Sequence, residues 1–290
     1  MSPDSTPKKR PRRPEELPKC PSFDCTLTID IIFLSCDGVH VGAHKQNLDN
    51  FSDGFPSPDL VQAPDASTLS GRCEVVELTE DAATLNILLQ FMHKTRFPKV
   101  HELSTEQLFS LAEAAEKYMV YSAMSICNDR IEQRVIDYPV QALCYAAKFH
   151  YSEIADIAAS YSVACPFDEI RKYSKSHHAT IYAWFQYREF FIELADAILN
   201  PPVYINNRNQ EHTCSFQGPY LTATSALLPK TNTKCMQMLA EKGTFDASVY
   251  NTHRPMVHGC TACPKRIDNW IAQVQGGLCK DFPAFTSFMT

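Results

Sequence analysis

The residues best suited to chemistry in this sequence are cysteines and histidines in its last third. Cys260 and Cys263 form a Cys-x-x-Cys motif, which places two thiolates on one tight turn. Zinc then needs two further soft ligands to complete a tetrahedron, and Cys214 with Cys279 or His258 would supply them. One interpretation of these five residues is therefore a structural zinc site.

A second interpretation treats the same residues as ordinary reduced cysteines in a region of weak periodicity. It is favoured because no second regular pair completes the motif, although His212 and Cys214 lie upstream of it. A redox pair fits less well, because Cys263 is followed by Pro264 and no strand-helix-strand pattern lies nearby.

The sequence does not predict an enzyme. It contains no Gly-rich phosphate loop, no nucleophile elbow and no paired-carboxylate motif. His44 has no nucleophile or acid placed to work with it, so we expect a partly buried histidine that makes a hydrogen bond beside a hairpin. Cys36, Cys127 and Cys144 fall on apolar faces of predicted elements and are expected in the core.

The composition favours an intracellular protein of the nucleus, the cytoplasm or both. The formal net charge of -6 argues against a general nucleic-acid-binding surface. There is no apolar run of about 18 residues and no signal-peptide pattern, so we expect no membrane span and no export, and we expect reduced thiols. Basic residues at 8–13 indicate either a nuclear localisation signal or a solvated tail, and both remain open.

The elements that must position these residues change along the chain. Residues 1–24 are basic and Pro-rich, and we expect a disordered tail there. The apolar run from Leu27 to Leu34 ends at Asp37-Gly38, which predicts a β-hairpin, and another short strand is predicted at Glu74–Leu78.

Helical periodicity begins after these strands. Thr79 is the predicted N-cap of one helix, and Ser104 with Gln107 predicts a capping box at the start of the next. Further helices are predicted at Ser122–Val135, as a pair within Val140–Val163, and at Thr180–Leu199, Lys234–Lys242 and Arg266–Val274.

Residues Asp30 to Ile131 resemble a BTB/POZ domain. Asp30-Ile-Ile-Phe-Leu is followed by Asp37-Gly38-Val39, and the segment from Leu108 to Val120 is similar to the family's pattern of leucines, alanines and a Lys-Tyr pair. The other pieces at the family's spacing are His44-Lys45, Leu48, Ser52, Phe55 and the segment from Leu88 to His93. The whole arrangement is similar to the BTB-containing proteins of mushroom-forming basidiomycete fungi.

The resemblance implies an α+β fold in which a BTB/POZ domain, a small mixed sheet with a helical cluster, occupies residues 25–136. An α-helical extension at 137–200 and an irregular Cys/His-containing region at 201–290 would follow. It also implies a protein-binding function through a homodimer, and docking on a cullin scaffold as a ubiquitin-ligase adaptor. The residues expected on the dimer or partner surface are Leu27, Ile29, His44, Leu48, Phe51, Phe55, Leu108 and Tyr118.

Two points stay open at this stage. Ile31 and Phe33 are expected in the core of the monomer, whereas Leu27 fits the core and the dimer face equally well. The alternative function is a nuclear, zinc-dependent, nucleic-acid-binding transcriptional regulator, suggested by the basic cluster and the Cys/His residues; it predicts bound metal and a salt-dependent affinity for DNA.

Overall fold

The computed structural model describes residues 18–55, 73–175, 177–203, 211–278 and 282–289. The chain divides into two compact units, Met1–Arg130 (unit 1) and Ile131–Thr290 (unit 2). This division falls a few residues before the domain boundary expected at residue 136. The basic cluster at residues 8–13, the Pro-rich segment at 56–72 and Cys279 lie outside the described residues.

Unit 1 contains a three-stranded mixed sheet with the strand order β2-β1-β3. Strand β1 (Ile31–Leu34) pairs antiparallel with β2 (His40–Ala43) and parallel with β3 (Glu74–Glu77). The predicted hairpin is confirmed. Its turn includes Gly38, whose φ of +79° is a conformation that a residue without a Cβ adopts without strain.

Four α-helices accompany the sheet: α1 (Lys45–Phe51), α2 (Ala82–Gln90), α3 (Thr105–Lys117) and α4 (Tyr121–Gln133). The capping box of α3 is confirmed, because Ser104 Oγ accepts from the N–H of Gln107 at 3.3 Å and Gln107 Oε1 accepts from the N–H of Ser104 at 3.1 Å. The predicted N-cap of α2, Thr79, is wrong. Asp81 caps this helix, since its carboxylate accepts at 2.7 Å from the N–H of Thr84, which the first turn leaves unpaired.

In the core of unit 1, α2 packs against β2 and against α3. Leu85 and Leu88 of α2 are fully buried there. Phe33 is 1% exposed, as expected for a core residue. The ring of Phe55 stacks between those of Phe33 and Tyr118, with centroid distances of 5.3 and 4.1 Å.

The outer face of the sheet is partly covered by the chain that precedes β1. Gly42 and Val75 both pair with Ile32, so these three residues share that face. A Cβ at Gly42 would lie 2.5 Å from Cδ1 of Ile29 and 2.6 Å from the carbonyl oxygen of Pro18. Pro18 and Lys19, near the end of the expected tail, therefore lie against the sheet, because proline removes a backbone donor without preventing packing.

The cysteines of the described segments are free. Cys127 and Cys144 are buried as expected, and burial raises the pKa of the Cys127 thiol to about 12. Cys36 is exposed, which corrects the core prediction. It lies beside the hairpin turn, where the chain leaves the buried face of the sheet.

Unit 2 is helical. Its α-helices are α5 (Pro139–Phe149), α6 (Ser152–Ser162), α7 (Phe167–Ser174), α8 (His178–Leu199), α9 (Gln217–Ser225), α10 (Asn232–Lys242) and α11 (Cys263–Leu278). Short 3-10 helices lie at Ala247–Asn251, Arg254–Val257 and Phe285–Phe288. Helix α8 packs against α7, α10 and α11 and buries Trp184 and Phe191.

The region from residue 201 to 290 is more regular than the sequence predicts. Helices α10 and α11 confirm the two short helices expected there, whereas α9 has no counterpart in the prediction. Local signals delimit α10, because Thr231 Oγ1 accepts from the N–H of Lys234 and Gly243 ends the helix with a φ of +63°. Helix α9 lacks such signals, and its apolar residues do not recur with helical spacing.

The small sheet and the eleven α-helices of the described residues make an α+β protein with a helical second part. This agrees with the α+β class and the helical extension expected from the sequence. Within the described segments, no helix is both long enough and apolar enough to cross a bilayer.

Candidate metal centres

Four side chains suited to metal binding meet in unit 2: His212, Cys214, Cys260 and Cys263. Their ligand atoms all lie within 4.8 Å of one another. Sγ of Cys260 is 3.2 Å from Nε2 of His212, and Sγ of Cys214 is 3.3 Å from Sγ of Cys263. We call this group the C-terminal cluster.

The start of α11 positions the two cysteines of the Cys-x-x-Cys turn. Cys263 is the first residue of the helix, and its N–H points at Sγ of Cys260 over 3.5 Å. One turn further on, Arg266 Nε donates to the carbonyl oxygen of Pro202 at 2.7 Å, which ties the start of α11 to the chain that follows α8. A helix N-terminus favours nearby anions such as thiolates.

The two thiols of this turn differ in acidity. Burial opposes ionisation of Cys260, but the N–H groups of Cys263 and Ala262 outweigh it and lower the pKa of Cys260 to about 6. Burial, together with the thiols of Cys214 and Cys260, raises the pKa of Cys263 to about 12. A divalent cation among the three sulfurs would favour their ionised forms, because a coordinating thiol loses its proton to the metal.

Three of the five residues expected as zinc ligands come together in this cluster: Cys214, Cys260 and Cys263. His258 is exposed just after the 3-10 helix Arg254–Val257 and is not part of the group. Cys279 lies outside the described residues. His212 occupies the fourth position, and its spacing of two residues from Cys214 is the sequence signal that identifies it.

A second group with the same donor types lies in unit 1: Cys20, Cys25, His44 and His93. Its ligand atoms also lie within 4.8 Å of one another. Sγ of Cys20 is 3.2 Å from Nε2 of His93, and Sγ of Cys25 is 3.1 Å from Nε2 of His44. We call this group the N-terminal cluster.

Main-chain carbonyl groups orient both imidazole rings of the N-terminal cluster. Nδ1 of His44 is 2.8 Å from the carbonyl oxygen of Thr28, which confirms the hydrogen bond expected for this histidine. Nδ1 of His93 is 2.8 Å from the carbonyl oxygen of Leu89. A carbonyl oxygen can only accept, so Nδ1 carries the proton in each ring and Nε2 presents its lone pair to the cluster.

The N-terminal cluster is mostly shielded from water. His44 and His93 are 3% and 8% exposed, and Cys20 and Cys25 are half-buried. Burial lowers the pKa of His93 despite the hydrogen bond to Leu89, so the ring stays in the neutral form that coordinates metals. Burial is also the main reason why the pKa of Cys20 rises to about 11.

No local motif in the sequence identifies the N-terminal cluster. Cys20 lies where a Pro-rich tail was expected, Cys25 is the first residue of the expected BTB/POZ domain, and His44 and His93 are isolated in the sequence. The four residues meet because the segment before β1, the start of α1 and the chain after α2 fold together. Pairings of this kind depend on tertiary structure, and a single sequence carries no spacing rule for them.

The eight residues expected on a dimer or partner surface fall into two groups. His44, Leu48, Leu108 and Tyr118 are each 5% exposed or less, so they belong to the interior of unit 1. Leu48 and Leu108 lie on the buried sides of α1 and α3, and His44 and Tyr118 are cap residues of the same two helices. Leu27 is 48% exposed, and the remaining three, Ile29, Phe51 and Phe55, are half-buried.

A charged network joins the start of α2 to the end of α3. Lys117 Nζ donates to Glu80 Oε1 at 2.8 Å, and Tyr118 Oη donates to Glu80 Oε2 at 2.6 Å. Burial acts to raise the pKa of Glu80, but these two hydrogen bonds outweigh it and hold the pKa below its ordinary value. The Lys-Tyr pair of the sequence therefore anchors a carboxylate within unit 1.

Comparison with known proteins adds no family to these observations. Neither the models of known protein families nor the curated proteins match this chain. The function must therefore be argued from the sequence, the fold and the two clusters.

Proposed function

We propose that the protein is a non-catalytic interaction module that forms a homodimer through unit 1 and recruits other proteins. The resemblance of residues 30–131 to BTB/POZ domains motivates this proposal. The observation that carries it is the outer face of the sheet, where apolar side chains lie beside the polar His40 and Glu77 and are only partly covered within the described residues.

Two exposed apolar side chains lie on β3 and on the segment before β1. Val75, in the edge strand of the described sheet, is 50% exposed, and Leu27 is 48% exposed. Ile29 packs over Gly42 but remains half-buried. Exposed apolar side chains grouped beside an edge strand are typical of surfaces that another chain covers.

A second copy of the chain is the partner that suits this face. Two identical apolar surfaces become self-complementary when they meet about a two-fold axis, so one patch serves both subunits. Glu74, which forms an ion pair with Lys45 at 2.9 Å, lies on the opposite face of the sheet, whereas Glu77, two residues after Val75, is the exposed acidic residue on the outer face.

Size-exclusion chromatography with light scattering tests the homodimer. We expect the wild type to be a dimer and Leu27→Asp and Val75→Asp to be monomers, because each substitution would bury a carboxylate in the interface. Val203→Asp is the matched control, since Val203 is 64% exposed in unit 2. A wild type that is monomeric at every concentration, or a dimer that survives both substitutions, would contradict the proposal.

We further propose that the recruited partner is a cullin scaffold, as the resemblance implies. The docking surface would comprise the exposed side of α3 and the chain from Phe55 to Leu60, of which residues 56–60 lie outside the described segments. Affinity purification with mass spectrometry should recover a cullin at near-stoichiometric yield. Ser110→Arg, on the exposed side of α3, should lose the cullin and keep the dimer, whereas Leu27→Asp should lose the dimer. Purification without a cullin would remove the adaptor role.

We also propose that the C-terminal cluster binds a structural zinc ion. Three thiols and one imidazole suit zinc, and four protein ligands leave no open position for catalysis. Zinc analysis of the purified chain should show that Cys260→Ser with Cys263→Ser removes one ion per chain. Cys165→Ser, a half-buried cysteine of unit 2 outside the cluster, should retain it.

A zinc-dependent regulator that binds nucleic acid is the second candidate, and the two clusters are the observation that favours it. The net charge of -6 opposes it, because phosphate contacts require basic surface. Fluorescence anisotropy with a labelled DNA duplex distinguishes this regulator from the interaction module proposed above. An affinity that falls steeply with added salt would support the regulator, and the absence of binding at low salt would remove it.

A further inference from the structure

We propose that the N-terminal cluster is a second structural zinc site, and that its ion fastens residues 18–30 to the outer face of the sheet. The ligands would be Cys20, Cys25, His44 and His93. No sequence motif indicates this site, and the inference rests on the arrangement of the four side chains.

The spacing of the four ligand atoms fits a single tetrahedral ion. With a Zn–S bond of about 2.3 Å and a Zn–N bond of about 2.0 Å, sulfur and nitrogen ligands lie about 3.5 Å apart. The distances of 3.2 Å from Cys20 to His93 and 3.1 Å from Cys25 to His44 differ from this by about 0.4 Å or less. All four atoms also lie within 4.8 Å of one another, so the two pairs face a common centre.

The convergence of the two imidazoles favours a metal site over two separate thiol-imidazole pairs. Both rings donate Nδ1–H to a main-chain carbonyl group, of Thr28 and of Leu89, and both turn Nε2 to the same centre. Metal-bound histidines are held in this way, because the outer hydrogen bond fixes the tautomer and the ring orientation. An isolated thiol-imidazole pair would also need the proton on Nδ1, but two separate pairs would not require the two rings to approach each other edge-on, as they do at a centroid distance of 5.6 Å.

The donor set selects the metal. Two thiolates and two neutral imidazoles are soft and borderline ligands that suit zinc, whereas calcium and magnesium require oxygen. Four protein ligands leave no position for water or substrate, so the ion would be structural. Two thiolates also balance the charge of Zn²⁺, which reduces the cost of burying the site among His44 and His93.

The position of the cluster indicates what the ion would hold. Cys20 and Cys25 lie on the segment that reaches Gly42 through Pro18 and Ile29. Hydrogen bonds fasten the two ends of this segment. At one end Gly42 N–H donates to the carbonyl oxygen of Lys19 at 3.4 Å; at the other Cys73 Sγ donates to that of Ile29 at 3.2 Å, Asp30 N–H to that of Ala43 at 3.3 Å and Lys45 N–H to Asp30 Oδ1 at 2.8 Å. Metal bonds to His44 and His93 would anchor it at two further points.

Zinc analysis of the full chain by mass spectrometry tests the site. We expect two ions per wild-type chain, one in Cys20→Ser with Cys25→Ser, and one in Cys260→Ser with Cys263→Ser. Cys36→Ser, at an exposed cysteine, should keep both. A wild type that holds only the ion lost with Cys260 and Cys263, or a disulfide between Cys20 and Cys25 in the freshly purified protein, would overturn the proposal.

X-ray absorption on the Cys260→Ser, Cys263→Ser chain provides a measurement without disturbing unit 1. The remaining zinc should have two sulfur neighbours at about 2.3 Å and two nitrogen neighbours at about 2.0 Å. Oxygen neighbours in place of sulfur would contradict binding of this zinc ion by Cys20 and Cys25. Chelation should then raise hydrogen exchange in peptides covering residues 18–30, and unchanged exchange there would refute the fastening role.

Discussion

The two clusters use the same donor types, thiols and imidazoles, but differ in the net charge that they would have with zinc bound and in the burial of their residues. With zinc bound, the three thiolates of the C-terminal cluster would leave a net charge of about -1, whereas the N-terminal cluster would be neutral. The charged site lies at the N-terminus of α11, where the helix dipole favours negative charge, and its residues other than Cys263 are half-buried. The neutral site contains two histidines that are almost completely buried. The cluster that would carry a net charge is thus the more exposed one, and the cluster that would be neutral is the more buried one.

The clusters also differ in what they join. The ligands of the C-terminal cluster form two short sequence pairs, at 212 and 214 and at 260 and 263, so an ion there would join two segments. Those of the N-terminal cluster come from the chain before β1, the start of α1 and the chain after α2. Loss of an ion should therefore disturb more elements in unit 1 than in unit 2.

The largest effect is expected for His93→Ala. It removes a zinc ligand and also leaves a space where a buried ring packed, and we expect a loss of more than about 4 kcal/mol in the free energy of unfolding of unit 1. Hydrogen exchange of peptides from β1 and α2 in increasing urea measures this loss. His101→Ala, an exposed histidine of unit 1, should change it little. Equal losses of unfolding free energy from His93→Ala and His101→Ala would contradict the larger role expected for a metal ion in unit 1.

A smaller effect is expected for Cys260→Ser in unit 2. The side chain is half-buried and leaves little empty space, so the loss is that of the metal bonds, about 2 to 4 kcal/mol. Both tryptophans, Trp184 and Trp270, lie in unit 2, so urea unfolding followed by tryptophan fluorescence reports on this unit. Cys165→Ser is the control. If chelation leaves the urea midpoint of the wild type unchanged, metal does not stabilise unit 2.

The smallest effect is expected for Glu80→Gln, which separates ordinary electrostatics in unit 1 from metal binding. Replacing the carboxylate that accepts from Lys117 and Tyr118 should cost about 1 to 3 kcal/mol at neutral pH. Because the pKa of Glu80 lies below its ordinary value of 4.5 in the folded state, this contribution is complete above that pH and is lost as the pH falls below it.

The measurement for Glu80 is the difference in unfolding free energy between wild type and Glu80→Gln as a function of pH. Any acid-induced loss of metal affects both proteins equally and cancels in the difference. Glu106→Gln, at an exposed position in the first turn of α3, is the control. If this difference in unfolding free energy already declines between pH 7 and 5, a group other than the Glu80 carboxylate causes the pH dependence.

The sequence predicts features that depend on neighbouring residues. The hairpin at Gly38, the capping box at Ser104 and the Cys-x-x-Cys turn each involve residues a few positions apart, so their chemistry is visible locally. The N-terminal cluster is not visible in this way, because His93 reaches Cys20 only after the unit has folded. Apolar periodicity predicts that Leu108 lies on a buried helix face, but it does not reveal whether the neighbour is the same chain or a second copy.

The N-terminal cluster has a consequence for the order of events during synthesis. Cys20 is made 73 residues before His93, so its thiol leaves the ribosome long before the last ligand exists. Until α2 is complete, Cys20 and Cys25 have only His44 as a nearby partner and are open to oxidation or to competing metals. With an ion fastening it, the segment that carries Leu27 would therefore reach its final position only after His93 has been made, which would delay any pairing of subunits through that segment until the chain beyond α2 has emerged.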